Sequence, residues 1–386
     1  MSRPGDRRQF LSLSSRAFLA GLLAPGITLA ATKNGSADAA AAKVATPTGN
    51  GLYDNAFVLD GNSTPGIGGL CCNEDTAEAL KVIRESGLSA MKTTMGGFEG
   101  SFEETVGEIA AVQKLVEHFP ERFLKVARHD DLERAKREQK LALILSFEAA
   151  SMLGDKPDRI ETFRNLDVLV MQLSYNRKSP FGCGCLDGDT DGVTSLGRDA
   201  IARMNKLGVA LDLSHANVAT TADGIAASTK PVVITHAGCR AVFDHPRNKN
   251  DREMKAMADK GGVMGIYMLP FLTEDTRQPM LVDFMRHMTH ALDVCGEDHV
   301  GIGTDLWLGA LTDEDIAYLM KYLEERRKKG IAAPGENRPL YIPDLNTPRR
   351  LERVADAMQK HGIGSRTVEK VLGLNFSRVY REIWAV

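Results

Sequence analysis

From about residue 50 onward, short β-branched or apolar runs alternate with longer amphipathic stretches. This alternation constrains the chain more than any other feature, because it is the pattern of βα units around a parallel sheet. The runs read as eight strands: Ala56 to Asp60, Leu88 to Thr94, Leu141 to Glu148, Leu166 to Ser174, Val209 to Ser214, Pro231 to His236, Gly262 to Met268 and His299 to Asp305. Helical patterns fall between them, at Asp75 to Ser86, Ser101 to His118, Leu196 to Leu207, Asn217 to Ala227, Asp251 to Lys260 and Leu281 to Cys295. Eight strands with intervening helices favour a (β/α)8 TIM-like barrel over a doubly wound sheet, and no G-x-G-x-x-G follows the first strand. Beyond Asp305, a Pro/Gly-rich stretch from Ala332 to Pro348 precedes extra C-terminal helices at Arg349 to His361 and Arg366 to Trp384. These are expected on the outside of the barrel.

The first fifty residues differ from the rest. Within residues 1–30, Arg3, Arg7, Arg8 and Arg16 stand against the single acid Asp6, and an apolar stretch runs from Ala17 to Ala31. A basic segment, a short apolar segment and small residues at a cleavage point make a secretory signal over residues 1–30, and Arg7-Arg8-Gln9-Phe10-Leu11 resembles the twin-arginine export motif. Pro25 and Gly26 interrupt a stretch already short for the ~20 apolar residues of a membrane span. Residues 31–50, rich in Ala, Thr and Gly, read as a linker to a single domain at 51–386. The expected location is periplasmic or secreted. With 48 basic against 51 acidic side chains and no dense Lys/Arg cluster, the chain lacks the footprint of a nucleic-acid binder. A small or neutral partner fits better.

In a barrel of this kind, chemistry sits at the C-terminal ends of the strands. Four polar side chains fall there: Glu148 ends LALILSFE, His215 ends VALDLSH, His236 ends PVVITH and Asp305 ends VGIGTD. A single histidine after a strand is more often a satisfied core residue. Two imidazoles and two carboxylates in equivalent positions are instead what Zn²⁺ or a similar divalent ion requires. The chemistry they support is metal-assisted hydrolysis, in which the ion lowers the pKa of bound water toward ~7 and polarises a carbonyl. Asp305 is placed to take the proton from that water and pass it to the leaving amine.

These segments resemble the membrane (renal) dipeptidases, metallo-dipeptidases with an amidohydrolase-type barrel. The resemblance runs from about Val58 to Trp384, through LSFE, LDLSHAN, ITHAGCRAVFDHPRN, GIGTD and the closing GLNFSRVYREIW. It implies Glu148, His215 and His236 as metal ligands, Asp305 as catalytic acid/base and a peptide-like substrate. It also implies that Arg247 holds the substrate carboxylate, a task suited to a bidentate guanidinium, and that Tyr175 lies near the substrate. Homodimers are common in the family, and a homodimer is expected by that analogy.

One departure matters. Where the family's first strand ends in Asp-Gly-His-x-Asp, this chain reads Asp60-Gly61-Asn62-Ser63-Thr64. Asn62 and Thr64 therefore replace the histidine and aspartate of a second metal site, and amide and hydroxyl are poor ligands for Zn²⁺. The expectation is one Zn²⁺ ion, with rescue by Asp60, Asp305 or Cys71-Cys72 the less favoured outcome. The enzyme reading competes with a catalytically inactive binding protein for a peptide-like ligand. Asp187-Gly188-Asp189-Thr190-Asp191-Gly192 imitates a calcium loop, but Arg198 stands at its twelfth position and a solvated turn is expected. Cys183 and Cys185 could join Cys71 or Cys72 in an exported protein, and Cys239 and Cys295 read as buried thiols.

Overall fold

In the computed structural model, residues 51–63, 76–274 and 276–385 are described. The signal at 1–30, the linker at 31–50, Thr64 and the Cys71-Cys72 pair lie outside them. Nine strands form one sheet: β1 (Leu59–Ser63), β2 (Ala90–Thr94), β3 (Phe123–Lys125), β4 (Leu141–Phe147), β5 (Val168–Gln172), β6 (Ala210–Asp212), β7 (Val233–Ala237), β8 (Val263–Ile266) and β9 (Val300–Ile302). Eight of them run in the order β1-β2-β4-β5-β6-β7-β8-β9, all parallel, with β3 attached to β4. The ring is brought nearly to closure where Ser63 bridges Leu306 and the Asp305 N–H donates to the Asn62 carbonyl at 2.7 Å. This is the α/β barrel that the strand count predicts.

All eight expected strands are present, although β1 starts at Leu59 rather than Ala56. The additional strand is β3, whose three residues pair with the start of β4 before β5 takes over from Leu145 onward. Alternation along β4 shows how the layers form. Leu141, Leu143, Leu145 and Phe147 join the large core shared with the surrounding helices, while Ala142 and Ile144 belong to a second cluster inside the barrel. Two of the expected helix starts are capped: Ser101 accepts from the Glu104 N–H and completes a capping box, and Asn217 accepts from the Thr220 N–H. Helices Asp130–Arg137 and Arg159–Asn165 were not legible as patterns. Among the described residues, no helix is long and apolar enough to cross a membrane.

The end of the chain corrects an expectation. Helix Arg350–Lys360 packs against helix Leu281–Cys295 on the outside, but helix Asn375–Trp384 contacts β1, β6, β8 and β9. Its Phe376, Val379, Tyr380, Ile383 and Trp384 cluster with Leu59, Ala90, Ala142, Ala210, Val233 and Val263. The last helix is therefore a plug in the N-terminal mouth, filling space that short inward side chains leave. The run read as one helix from Arg366 is also broken: Ser365–Glu369 leads into a wide turn at Lys370–Leu374. A Cβ on Gly373 would lie 2.4 Å from the Phe57 carbonyl oxygen and 2.8 Å from the Leu59 nitrogen, so only glycine lets the chain pass β1 this closely. Gly61 and Gly301 make the same concession to the plug, since a Cβ on either would sit 2.6 Å from the Phe376 ring.

Because Phe376 is fully buried in this plug, Phe376→Ala should lower stability by about 3–5 kcal/mol, read from urea denaturation. A loss under 1 kcal/mol would contradict the plug's place in the core.

Candidate metal centre

The strand ends deliver their polar residues to one spot. Glu148 directly follows β4, His215 follows β6, His236 lies within β7 and Asp305 follows β9. Glu148, His215 and His236 are buried, each offering a ligand atom within 4.8 Å of the others. His215 Nε2 lies 3.0 Å from His236 Nε2 and 3.7 Å from Glu148 Oε2. The rings meet edge-on at 64°.

The far nitrogen of each ring determines what the near one can do. His215 Nδ1 lies 2.7 Å from Asn176 Oδ1, an acceptor only, so the ring proton belongs on Nδ1. His236 Nδ1 lies 3.0 Å from Thr235 Oγ1, which itself donates to Asp212 Oδ2 at 2.6 Å. With that hydroxyl proton committed, Thr235 Oγ1 accepts from His236 Nδ1. Both Nε2 atoms thus present lone pairs to the same space. Burial, reinforced by the positive charge of Arg247, pushes both imidazole pKa values well below the ordinary range and keeps the rings neutral. Two neutral imidazole nitrogens converging beside a carboxylate fit a divalent ion of the zinc type, each ring being oriented by an outer partner as metal-bound histidines are.

Other candidate ligands are committed elsewhere. Cys239 Sγ donates to the His287 carbonyl, and Cys183, Cys185, Cys239 and Cys295 are free, buried thiols. The calcium-like turn dissolves into separate contacts: Asp187 accepts from Gly184 N–H, Asp189 faces Arg240, and Asp191 faces Lys178. Asp60 accepts from the backbone of Asn62 and Thr304 and from the Thr304 hydroxyl, tying β1 to β9. Burial raises its pKa to about 6. Rescue of a second metal site by Asp60 would require breaking this seam.

Asn62 reaches the site as a hydrogen-bond donor. Its Nδ2 donates to Glu148 Oε1 at 3.0 Å and to Asp305 Oδ1 at 2.8 Å, and its Oδ1 accepts from Lys92 Nζ at 2.5 Å. Asp305 takes a left-handed backbone, φ 58°, which a non-glycine residue rarely adopts. Burial and the negative charge of Glu148 drive its pKa well above the usual carboxyl value, against the opposing influence of Arg247, Lys92 and Asn62. Arg247 is buried, donating through Nη1 to the Ser214 carbonyl at 2.5 Å and lying with Nη2 3.1 Å from His215 Nε2. Among the described residues it has no carboxylate partner within ion-pair distance. Tyr175 stacks on the His215 ring, centroids 4.2 Å apart. Glu148, Tyr175, His215, Arg247 and Asp305 all line one cleft, whose lining also includes the apolar Phe271, Leu306, Trp307, Leu311, Leu319 and Leu340 and the buried Arg326–Glu336 ion pair.

Sequence reasoning missed three contributors. Asn176 adjoins Tyr175 but gave no signal of its own, since an asparagine after a strand is commonplace. The Asp212-Ser214-Thr235 group was hidden within the histidine motifs. Lys92 left a visible trace, a lone cation in the middle of the buried strand AMKTT. The role of Asn176 is testable: Asn176→Leu removes the acceptor for His215 Nδ1 and should weaken Zn²⁺ binding about 10–100-fold, measured by competition with a chromogenic chelator. Unchanged affinity would show that this bond does not hold the ring.

The sequence profile of the membrane dipeptidases (peptidase family M19) matches residues 72–332. The dipeptidase tcpJ of Claviceps purpurea is 25% identical over 290 residues, 73% of this chain, which spans 60% of that relative's length. An uncharacterized protein from the pqqA 5′ region of Klebsiella pneumoniae is 26% identical over 287 residues, 72% of this chain and 95% of its own. Among solved structures, an amidohydrolase from Pseudomonas aeruginosa superposes with a TM-score of 0.74 at 29% identity, covering 87% of this chain and 99% of its own. A metallopeptidase from Rhodobacter sphaeroides, liganded with a phosphinate mimic of the dipeptide L-Ala-D-Ala, superposes at 0.70 with 20% identity, covering 85% and 99%. With its profile match spanning most of the barrel, the chain belongs to the membrane dipeptidase family, peptidase family M19.

Proposed function

We propose that this protein is a Zn²⁺-dependent hydrolase of dipeptides or similarly shaped small amides, working with one ion. The observation that carries this reading is the convergence of two unprotonated Nε2 atoms, 3.0 Å apart, beside Glu148. Glu148, His215 and His236 would hold the ion, and three protein ligands leave the open position that a catalytic site needs. The chemistry such an ion supplies is Lewis acidity, which activates water and polarises an amide carbonyl. Family membership supports the hydrolase class, and the twin-arginine-type leader supports action in the periplasm or outside the cell.

The chain's own residues would divide the remaining work. Asp305 Oδ1 is held by Asn62, and Oδ2 has no hydrogen bond among the described residues. That oxygen can take a proton from the attacking water and return it to the leaving amine. The pKa raised by burial and Glu148 suits a carboxyl that must hold a proton part of the time. Arg247, a buried guanidinium without a carboxylate partner among the described residues, offers a receptor for the substrate's terminal carboxylate. Tyr175 and the apolar wall from Leu306 to Leu340 exclude water and favour an apolar substrate side chain.

A dipeptide panel assayed with Zn²⁺, Mn²⁺ and Co²⁺ tests the reading. Turnover should appear, vanish with chelator and return with metal. His215→Ala should abolish both metal retention and turnover, whereas Asp305→Asn should keep the metal and lose about 10²–10⁴-fold in kcat. Metal-loaded protein that binds dipeptides without hydrolysing any of them would leave the binding-protein reading in its place.

A further inference from the structure

Lys92 is a buried cation of the site region that neither the ligand set nor the proton path uses. It projects from the middle of β2, level with Ile144 of β4, and is fully buried. Among the described residues its ammonium has one close acceptor, the Asn62 amide oxygen at 2.5 Å, and one carboxylate at ion-pair distance, Asp212 Oδ2 at 3.9 Å. Asp212 is already heavily bonded, accepting from Gln172, the Ser214 N–H and hydroxyl, and the Thr235 N–H and hydroxyl. A buried ammonium is costly unless its charge is compensated, and on the far side of Asn62 stand the carboxyl groups of Glu148 and Asp305. Asn62 joins the two sides: its oxygen takes the Lys92 proton and its nitrogen gives one hydrogen to each carboxylate. Polarisation along such a chain strengthens every bond in it.

We propose that the Lys92 ammonium, relayed through the Asn62 amide, is this protein's fixed substitute for a second metal cation. It compensates Glu148 and Asp305 from the β1 side and keeps a second ion out. The inference rests on the one-ion reading above and adds its physical cause. Asn62 occupies Glu148 Oε1, so that Glu148 has Oε2 left for an ion shared with His215 and His236, and the amide carries the lysine's charge to where a second ion would otherwise stand. Lys92 acts here as a positioning residue, through Asn62 rather than on the substrate.

A scaffold role and a charge role for Lys92 predict opposite changes in metal affinity. The full chain is titrated with Co²⁺, following visible absorption and heat, in wild type, Lys92→Met, Lys92→Arg, Asn62→His and the double variant Asn62→His/Lys92→Met, each checked for folding by thermal denaturation. Wild type should take one ion and no second. Lys92→Met removes a positive charge and should tighten the first ion about tenfold while turnover falls; Lys92→Arg should keep the wild-type affinity. Asn62→His alone should stay at one ion, and the double variant should take two. If Lys92→Met does not fold, Lys92→Gln makes the same charge change while keeping a hydrogen-bond donor. Weaker binding in the neutral variants, or two ions in Asn62→His with Lys92 intact, overturns the inference alone. Wild type that takes no ion overturns the hydrolase reading and the inference together.

Discussion

Two neutral imidazoles with unprotonated nitrogens 3.0 Å apart repel each other unless a positive charge sits near both. The top of this barrel is organised around that constraint. Asn176 and Thr235 hold the ring protons on the far side, and Asp212 holds Thr235, so the lone pairs cannot turn away. Arg247 reaches His215 Nε2 and supplies part of the missing charge. Burial, with the same guanidinium beside it, depresses both imidazole pKa values, so the arrangement answers with a cation rather than with protonation.

The surrounding fold makes this arrangement affordable. Glu148, His215, His236 and Asp305 come from four different strands or their ends, β4, β6, β7 and β9, and the register of a nearly closed parallel barrel fixes their separations. Asp60 bonded to Thr304 and the Asp305 N–H bonded to Asn62 join the first strand to the last, placing Asn62 and Asp305 side by side. At the opposite mouth, the last helix fills the barrel with Phe376 and its neighbours, so the upper half can be polar without leaving the interior under-packed.

Much of this was legible in the sequence because it lives in local patterns. Apolar runs marked the eight strands, and the four strand-end residues were readable because a βα barrel displays strand ends. The loss of the first-strand ligands was legible as Asn62 and Thr64 in place of histidine and aspartate. Other features depend on distant contacts. β3 is only three residues long and exists because β4 offers an edge at Leu141. The final helix is amphipathic in the ordinary way, and nothing in its pattern distinguishes an outer helix from a plug; Gly61 and Gly301, which make room for Phe376, belong to β1 and β9, far away in the chain. Asn62 read as a lost ligand because replacement is a statement about one position, whereas its donor role requires Lys92, Glu148 and Asp305 to be brought together.

The most direct test of the account is a crystal structure of the zinc-loaded protein with anomalous diffraction collected on both sides of the zinc edge. The account predicts a single anomalous peak within coordination distance of His215 Nε2, His236 Nε2 and Glu148, with the Asn62 amide still bridging Lys92 to the two carboxylates. A second peak beside Asn62, or a peak that leaves out either histidine, would contradict it.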